Sequence, residues 1–313
     1  MRRTRRKALA VPRGLTLLEL VLAMVLVGIT VGATVYFLYP VTQSVDLAGR
    51  AELTDIADNA LQRIGREVRL ALPNSVRRTT SGSSSFLEFL PVRTAGRYRA
   101  DGGGASGGTD CPNIGGVGLP DSDQLSFSPI VDTCFKTIGT VADPTSITTN
   151  DFVVFNNYGQ GFVGQDAYAT ADPLNRRKIS AASDEGTRER IEFLSTTALD
   201  RTLHDSPGKR FFVIIGNATT ALPEPVTYEC NPSTGTLVRR SGYTMTATQP
   251  TSFSDGTTNP IAADVSDCNY DYIANVAPQI GLLTLRLTLS KALTGGATQT
   301  VSLYHAVHIT NVP

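Results

Sequence analysis

The chain has 313 residues, enough for one or two ordinary domains and too many for a small disulfide-stapled scaffold. Hydrophobic residues make up 41% of it and charged residues 18%, a balance that excludes wholesale disorder. The 28 basic and 28 acidic residues cancel, which argues against a nucleic-acid-binding protein, because such proteins are usually basic. Three histidines and four cysteines leave little material for a histidine-centred active site or a zinc site.

The neutral total hides a basic N-terminus. Residues 1–14 contain six arginine or lysine residues and no acidic residue, which leaves 22 basic and 28 acidic residues in the rest of the chain. A short basic segment in front of an acidic body is typical of a membrane-targeting leader. We therefore interpret residues 1–14 as a leader peptide.

A long apolar run follows the basic segment. Residues 15–39 (LTLLELVLAMVLVGITVGATVYFLY) include one formally charged residue, Glu19. As a helix this run is about 37 Å long, enough to cross a hydrocarbon layer of roughly 30 Å. A buried core helix is the alternative, but the apolar character on every side and the preceding basic block favour a membrane span. The positive-inside rule places the leader in the cytoplasm and the body on the other side of the membrane.

From residue 40 to residue 72 the pattern becomes amphipathic. Apolar residues recur at spacings of three and four, which places them on one stripe of a helix. They are Leu53, Ile56, Ala57, Ala60, Leu61, Ile64, Val68 and Leu72, and the opposite face carries Glu52, Asp55, Asp58, Arg63, Arg66 and Arg69. Pro40 predicts a kink where the apolar run ends, and Pro73 prevents clean continuation of the helix. We expect residues 40–72 to form a helix that continues from the span and packs on a sheet.

Residues 73–313 change to a strand-like period and predict a β-rich head. The clearest alternation lies in Leu283–Leu289 and Val301–Ile309, as in antiparallel sheets with one buried face. Further strands are expected at Phe86–Val92, Gln124–Ser128, Asp151–Asn156, Arg190–Leu194, Arg210–Ile215, Val226–Cys230 and Thr236–Arg240. Residues 101–120, rich in glycine, and residues 246–268, rich in Thr, Ser and Asp, are expected to be loops.

A specific motif lies where the basic segment meets the apolar run. Arg13–Leu20 (RGLTLLEL) combines a glycine at the end of a basic leader, a hydrophobic residue, a threonine and a glutamate at the start of an apolar helix. This segment resembles the prepilin cleavage and methylation signature of type IV pilins and of type II secretion pseudopilins, although Leu15 stands where Phe or Met is commoner. The fold that the resemblance implies is α+β and pilin-like: a long N-terminal helix, half in the membrane, packed on an antiparallel β-sheet head.

The resemblance also implies roles for three residues. A membrane prepilin peptidase would cut between Gly14 and Leu15 and methylate the new amino group of Leu15. Glu19 would neutralise the terminal amine of a neighbouring subunit in the fibre. Independently of the resemblance, a carboxylate inside a membrane helix costs about 3 kcal/mol and marks a functional site. The alternative is that Glu19 pairs with the Leu15 amine of its own chain or lies at headgroup depth.

Two segments of the head carry a second resemblance. Asp151–Ala169 and Val226–Tyr243 are similar to minor pilins of the mannose-sensitive haemagglutinin (MSHA) pilus, in particular the MshO-like group. The second segment (VTYECNPSTGTLVRRSGY) also has a Tyr–x–Cys strand, a glycine-containing turn and a Leu–x–Arg strand, which related pseudopilins and minor pilins contain. The hairpin itself follows from the residues, because Pro232–Gly235 is a turn sequence between two alternating runs.

The cysteines Cys111, Cys134, Cys230 and Cys268 all lie in the part of the chain that we expect to be exported. Disulfides form in exported proteins, so two bridges are expected. Three connectivities are possible, and we favour Cys111–Cys134 and Cys230–Cys268, the neighbours in sequence. Free thiols or a zinc site are the alternative, but the sequence has no CxxC pair.

Other chemical signals are weak. Gly104–Gly108 matches the G-x-S-x-G pattern of a nucleophile elbow, but it lies in a glycine-rich loop and not between a strand and a helix. His305 and His308 point to opposite faces of the predicted strand and cannot bind one metal ion together, and His305 is expected on the apolar face as a core residue. Arg176–Lys178 is interpreted as a solvated basic loop. We therefore expect no enzyme, no cofactor and no metal site; a membrane-anchored hydrolase is the disfavoured alternative.

These observations predict a structural protein of a type IV-type fibre. We expect a minor pilin of MSHA or type IV pilus biogenesis that helps to initiate or assemble the fibre, near its tip because a bulky head meets fewer neighbours there. The alternatives are a minor pseudopilin of a type II secretion system and a tip adhesin that binds a glycan or a surface through its Gly- and Thr-rich loops.

The same interpretation predicts partners and location. The expected partners are prepilin peptidase, other minor and major pilins or pseudopilins, the inner-membrane assembly platform and the membrane itself, but not nucleic acid. The expected location is the bacterial inner membrane, with a single span, a cytoplasmic N-terminus and a periplasmic head, and afterwards the pilus or pseudopilus fibre.

Overall fold

The structure is a computed structural model that describes residues 16–100, 111, 123–172, 174–277, 279–292 and 298–313; for residues 37–47 it describes the backbone only. The chain divides into two compact units, Met1–Glu52 and Leu53–Pro313. The long helix α1 (Leu17–Arg69) begins in the first unit and ends in the second.

Helix α1 starts where its sequence provides a cap. The hydroxyl of Thr16 accepts a hydrogen bond from the backbone N–H of Glu19 (3.3 Å), one of the N–H groups that the start of a helix leaves unpaired. Every residue from Leu17 to Tyr36 is exposed, and this stretch is long and apolar enough to cross a membrane. The backbone remains helical through Pro40, so this proline does not end the element.

In the described part of the second unit, fourteen strands follow α1, together with a four-residue helix α2 (Arg201–His204) and a turn of 3-10 helix (Pro144–Ser146). The strands are β1 (Arg77–Ser81), β2 (Ser84–Phe89), β3 (Val92–Arg97), β4 (Cys134–Lys136), β5 (Phe152–Phe155), β6 (Arg176–Asp184), β7 (Glu189–Phe193), β8 (Arg210–Ile214), β9 (Val226–Asn231), β10 (Thr236–Ser241), β11 (Thr257–Ala262), β12 (Val265–Ala277), β13 (Ile280–Ala292) and β14 (Thr298–Thr310).

The described strands form three antiparallel sheets. The first has the order β1-β2-β9-β10-β11, the second β12-β13-β14, and the third β3-β8-β5-β6-β7-β4. β13 is the central strand of the second sheet and pairs with β14 along the whole length of both strands. The four leucines of β13 at positions 283, 285, 287 and 289 are buried, so the predicted alternation directs one face of this sheet into the core.

The C-terminal part of α1 contributes its apolar stripe to the main core. Six stripe residues are at most 3% exposed: Leu53, Ala57, Ala60, Leu61, Ile64 and Val68. They belong to one apolar cluster with residues of the first sheet, such as Tyr228, and of the second sheet, such as Leu285 and Val307. The acidic and basic residues predicted for the opposite face are all exposed. The amphipathic prediction for this part of the helix is confirmed.

The six-stranded sheet has a core of its own that is rich in aromatic rings. The ring centroid of Phe135 lies 5.1 Å from that of Phe211 and 5.9 Å from that of Phe155, in edge-to-face arrangements. A third, smaller cluster contains Leu72, which lies beyond the end of α1, together with Tyr168. The head therefore has two large apolar clusters and one small one among its described residues.

Two predicted strands were wrong in their bounds or type. Phe86–Val92 is divided at Pro91, which has no N–H to donate, so that β2 belongs to the first sheet and β3 to the third. Gln124–Ser128 is not a strand, although Leu125 and Phe127 are buried and alternate with half-buried or exposed residues. The N–H of Ser126 donates to the Asp132 carboxylate (2.6 Å), where a strand residue would pair with a neighbouring strand.

Segments that were expected to be loops also form strands. Arg176–Lys178 is the start of β6, and residues 246–268 contain β11 and the first residues of β12. The short strands β1 and β4 were not predicted either. The coarse prediction is confirmed, since an N-terminal apolar helix is followed by antiparallel sheets in an α+β fold, with a head that is mostly sheet.

Candidate functional site

The predicted processing site lies at the edge of the described chain. Gly14 and Leu15 are outside the described residues. Glu19 lies in the first turn of α1, and its side chain is exposed. A carboxylate in the first turn of a helix interacts favourably with the positive end of the helix dipole. The helix dipole therefore favours a negatively charged Glu19 at the start of this apolar helix.

In the apolar stretch after Glu19, two threonine hydroxyls donate hydrogen bonds to backbone carbonyl oxygens of the same helix. The hydroxyl of Thr30 donates to the carbonyl oxygens of Leu26 (3.0 Å) and Val27 (2.9 Å), and that of Thr34 donates to the carbonyl oxygen of Thr30 (2.6 Å). Such bonds lower the cost of placing a hydroxyl in hydrocarbon. Glu19 is the one charged residue between Leu17 and Tyr36.

The four cysteines form two disulfides. Cys111 is bonded to Cys134 at the start of β4, and Cys230 on β9 is bonded to Cys268 on β12. These are the pairs that the sequence order favoured. The second bond joins the five-stranded sheet to the three-stranded sheet. Both disulfides lie in the second unit, as expected for an exported head.

A buried ion pair joins β1 and β2. The Nη2 atom of Arg77 lies 2.8 Å from Oε1 of Glu88, and both side chains are almost fully buried. The guanidinium also lies 3.6 Å from the centroid of the Tyr168 ring. Burial raises the pKa of Glu88 to about 7, although the charge of Arg77 lowers it. All these contacts are internal, so we assign the pair a structural role.

A second buried cluster holds β4 in place. Lys136 is fully buried, and its Nζ atom lies 3.2 Å from Oδ2 of Asp123 and 3.5 Å from Oε2 of Glu185. Its ammonium group is thus compensated by two carboxylates.

No group of three or more His, Cys, Asp or Glu side chains in the described residues has the geometry to hold a metal ion.

Beside β6 lies a cleft made of two cavities, which we call the basic cleft. The first cavity has a volume of about 380 Å³ and is lined by Arg176, Arg177 and Lys178, by the hydroxyl residues Thr170, Ser195, Thr196 and Thr197, by Asp172, and by apolar residues that include Leu194. The second cavity, of about 420 Å³, shares Asp172, Arg177 and Thr197 with the first and is also lined by Asp200 and His204.

The two arginines of the basic cleft are buried and bonded to neutral groups. Arg176 donates to the carbonyl oxygens of Ala167 (2.7 Å) and Ala169 (2.6 Å). Arg177 donates to the hydroxyl of Ser195 (3.0 Å). Burial lowers the pKa of Arg176 to about 10, at which it remains charged at neutral pH, and burial also lowers the pKa of Arg177. The prediction of a solvated loop was wrong here, because β6 carries these side chains into the head.

An apolar groove with basic walls lies elsewhere in the second unit. It has a volume of about 490 Å³ and is lined by Arg69, Arg97 and Arg210, together with apolar residues such as Leu70 and Phe212. The lining includes no acidic residue.

The two histidines of β14 lie on opposite faces of the strand, as predicted. His305 is half-buried, and a Cβ atom built on Gly65 of α1 would lie 2.9 Å from its Nε2 atom. His308 is exposed. Helix and strand therefore approach closely at Gly65, which leaves room for no side chain there unless His305 moves. Gly104–Gly108 lies outside the described residues.

The basic cleft is the site that sequence reasoning missed. A run of three basic residues is usually solvated, and β6 offers little apolar alternation apart from Ile179. The sequence carries no signal that separates this run from a solvated one. No protein-family model matches the chain, and neither a curated protein nor a solved structure matches it.

Proposed function

We propose that the chain is a minor pilin, a low-copy subunit that is cleaved and N-methylated by prepilin peptidase and helps to initiate or assemble a type IV-type pilus. The observation that carries the proposal is the sequence around the start of α1. A glycine ends a basic leader, Thr16 caps the helix, Glu19 lies in its first turn, and the exposed apolar stretch to Tyr36 follows. The resemblance of two head segments to MSHA minor pilins supports this assignment.

The architecture supports the same proposal. An apolar helix at the N-terminus can serve as a single membrane span, and the basic leader keeps its N-terminal end in the cytoplasm. The head would then fold in the periplasm, where its two disulfides can form. Release from the membrane into a fibre would follow processing.

Glu19 provides the chemical reason for assembly in this proposal. Cleavage after Gly14 creates a cationic amine at Leu15, and the carboxylate of Glu19 in a neighbouring subunit can neutralise it. In a low-dielectric environment each charge is costly when alone, so pairing favours the correct stagger of subunits. The partners are therefore other pilins, the prepilin peptidase and the assembly platform of the inner membrane, and no enzymatic role is proposed.

A minor pseudopilin of a type II secretion system is the second candidate, because the same signature at Arg13–Leu20 occurs in both families. Deletion of the gene distinguishes the two. Loss of surface fibres favours the pilin, whereas loss of protein secretion with normal fibres favours the pseudopilin.

A minor pilin is expected at low copy number near the tip, and labelled microscopy that finds it abundant along the whole filament would contradict that position.

The first prediction concerns processing. The mature protein should begin at Leu15 with one methyl group on its amine, and Gly14→Val should leave the leader attached, because a bulky residue blocks the cut. Mass spectrometry of the N-terminal peptide measures both. Gly28→Val is the matched control, since a Cβ atom at Gly28 meets nothing within 4 Å and processing should be normal. Retention of Met1 in the wild type, or a cut at another place such as after Ala10, would overturn the proposal.

A further inference from the structure

We propose that the basic cleft of the head binds an anionic saccharide, in which one sugar residue carries a carboxylate or a sulfate group. The proposal rests on the geometry of the second unit alone and does not depend on the proposed role in a fibre.

The charge of the first cavity calls for an anion. Arg176, Arg177 and Lys178 line it, and Asp172 is the one acidic residue in its lining. Both arginines bond to neutral oxygens, and neither arginine has a carboxylate within salt-bridge distance among the described residues. Asp166 lies close enough to attract Arg176, and Asp172 to attract Arg177, but neither carboxylate is hydrogen-bonded to its arginine. An anionic group that enters the cavity therefore gains charge-assisted hydrogen bonds that these neighbours do not supply.

The other residues that line the first cavity are hydroxyl-bearing and apolar, which suits the two faces of a sugar ring; a simple ion would need no apolar surface. The hydroxyl of Ser195 already donates to the carbonyl oxygen of Thr197, and the hydroxyls of Ser195 and Thr197 both accept from Arg177. The hydroxyls of Thr196 and Thr197 can still donate to the polar edge of a sugar. Leu194, which is 61% exposed, and Leu222 offer an apolar surface to its C–H face. The cavity volume of about 380 Å³ lies within the range of roughly 300–1,000 Å³ that is usual for small-molecule sites.

The second cavity extends the site for a further sugar unit. It meets the first cavity at Arg177, Asp172 and Thr197, so a disaccharide can span both. Its lining is not basic overall, because Asp200 joins Asp172 there. Carboxylates accept hydrogen bonds from sugar hydroxyls, which assigns the neutral unit to the second cavity and the anionic unit to the first.

Isothermal titration calorimetry tests the proposal on the full-length protein in a non-ionic detergent. The probes are a disaccharide of one uronic acid and one neutral hexose, a disaccharide with a single sulfate group, the neutral disaccharide digalactose and inorganic sulfate. At least one acidic disaccharide should bind, at least about tenfold more tightly than sulfate and digalactose, and binding should weaken as salt is added. No binding of either acidic disaccharide at about 10 mM, or equal binding of inorganic sulfate, would overturn the proposal.

Variants connect the binding to the cleft. Lys178 is half-buried and makes no ion pair among the described residues, so Lys178→Ala should fold normally and weaken binding about tenfold. Lys178→Arg should retain most of the affinity. Arg97→Ala, which removes an exposed cation from the separate apolar groove, is the control and should bind as the wild type does. Thermal unfolding of each variant verifies folding, and unchanged affinity in folded Lys178→Ala would contradict the assigned site.

Discussion

Two buried carboxyl groups of the head, Glu88 and Asp132, are protonated more easily than ordinary ones. Burial raises the pKa of Glu88 to about 7 and that of Asp132 to about 6, although hydrogen bonds oppose both shifts. The folded protein therefore retains protons that the unfolded chain releases, over a window from about pH 4 to about pH 7. Protonation of these two groups stabilises the head in mildly acidic solution, and this contribution is lost as the pH rises through about 7.

Glu88→Gln tests this linkage. In the wild type these two carboxyl groups together should lower the free energy of unfolding by on the order of 4 kcal/mol between pH 5 and pH 8, because their folded-state pKa values lie above the unfolded ones. The variant cannot ionise at this position, so its fall should be smaller by on the order of 2.5 kcal/mol, the larger share of the two contributions. Urea denaturation of the full-length protein in detergent, followed by tyrosine circular dichroism, measures both slopes. Asp132→Asn serves as the comparison and should remove the smaller share; an identical slope in wild type and Glu88→Gln would contradict the assignment.

Single residues were predictable where spacing alone decides their environment. Leu53, Ala57 and Val68 are buried because a helix places such spacings on one face. Arg176 and Arg177 were not predictable, because their burial depends on carbonyl oxygens and hydroxyls that distant segments place beside β6. The signature residues Gly14 and Leu15 were recognised by their pattern, and their chemistry stays a prediction.

Among the elements, the connection between the first two sheets depends on a covalent bond as well as on packing. Cys230 and Cys268 link β9 to β12 over a sequence separation of 38 residues, whereas Cys111 and Cys134 are separated by 23. The loop-closure model gives the longer loop a larger effect on the unfolded chain. The bond between sheets should therefore be the more important of the two.

Paired cysteine-to-serine variants compare the two disulfides. Cys230→Ser with Cys268→Ser should lower the free energy of unfolding by roughly 4 kcal/mol, and Cys111→Ser with Cys134→Ser by roughly 3 kcal/mol. Urea midpoints of the full-length proteins give both values, and mapping of disulfide-linked peptides without reduction verifies the wild-type pairs. A larger loss from the second pair would contradict the ranking, and cross-linked pairs such as Cys111 with Cys230 would contradict the connectivity.

Elements were predictable where they contain their own pattern. β13 and β14 follow from strict alternation, and α1 follows from its stripe. β12 was missed because its first residues lie in a Ser- and Asp-rich stretch, although Cys268, Tyr270 and Tyr272 alternate with polar residues there. Gln124–Ser128 is the opposite case, a predicted strand that the structure lacks. Its residues are buried alternately, but the backbone N–H of Ser126 donates to the Asp132 carboxylate and not to a neighbouring strand.

At the scale of the whole molecule, the proposed fibre role depends on one charge at the start of an apolar helix. Glu19→Ala should ease membrane insertion by on the order of 3 kcal/mol, because a carboxylate is removed from the hydrocarbon. The variant should still be cleaved after Gly14. Assembly should suffer, because removal of one member of a buried charge pair costs roughly 3–5 kcal/mol and the Leu15 amine of the neighbour loses its partner.

Co-purification with partner pilins and the yield of sheared fibres measure the effect of Glu19→Ala. Leu22→Ala, which truncates an exposed apolar side chain of the same stretch, is the matched control and should assemble normally. Normal recovery of Glu19→Ala in both assays would show that this residue has no part in recruitment. A tip position makes the defect milder than in a shaft subunit, because a tip subunit has fewer neighbours.

The class of the fold was predictable, but the order of its strands was not. An apolar helix followed by alternating segments indicates α+β, and this is what the described residues form. β2 pairs with β9, and β3 with β8, across long stretches of intervening chain. Such pairings are decided by which faces fit together in three dimensions, and periodicity contains no information about them.

The closure of the head by its last strand has a consequence for how the protein is made. Asn74, just after α1, hydrogen-bonds to Asn311, 237 residues further along, and the stripe of α1 packs beside Val307. The part of the helix face that β14 covers therefore stays exposed in a chain synthesised from its N-terminus until almost every residue has been added. A product that stops before β14 retains this open face, which proteases and chaperones recognise. Truncated chains would thus be removed before they could compete with complete ones.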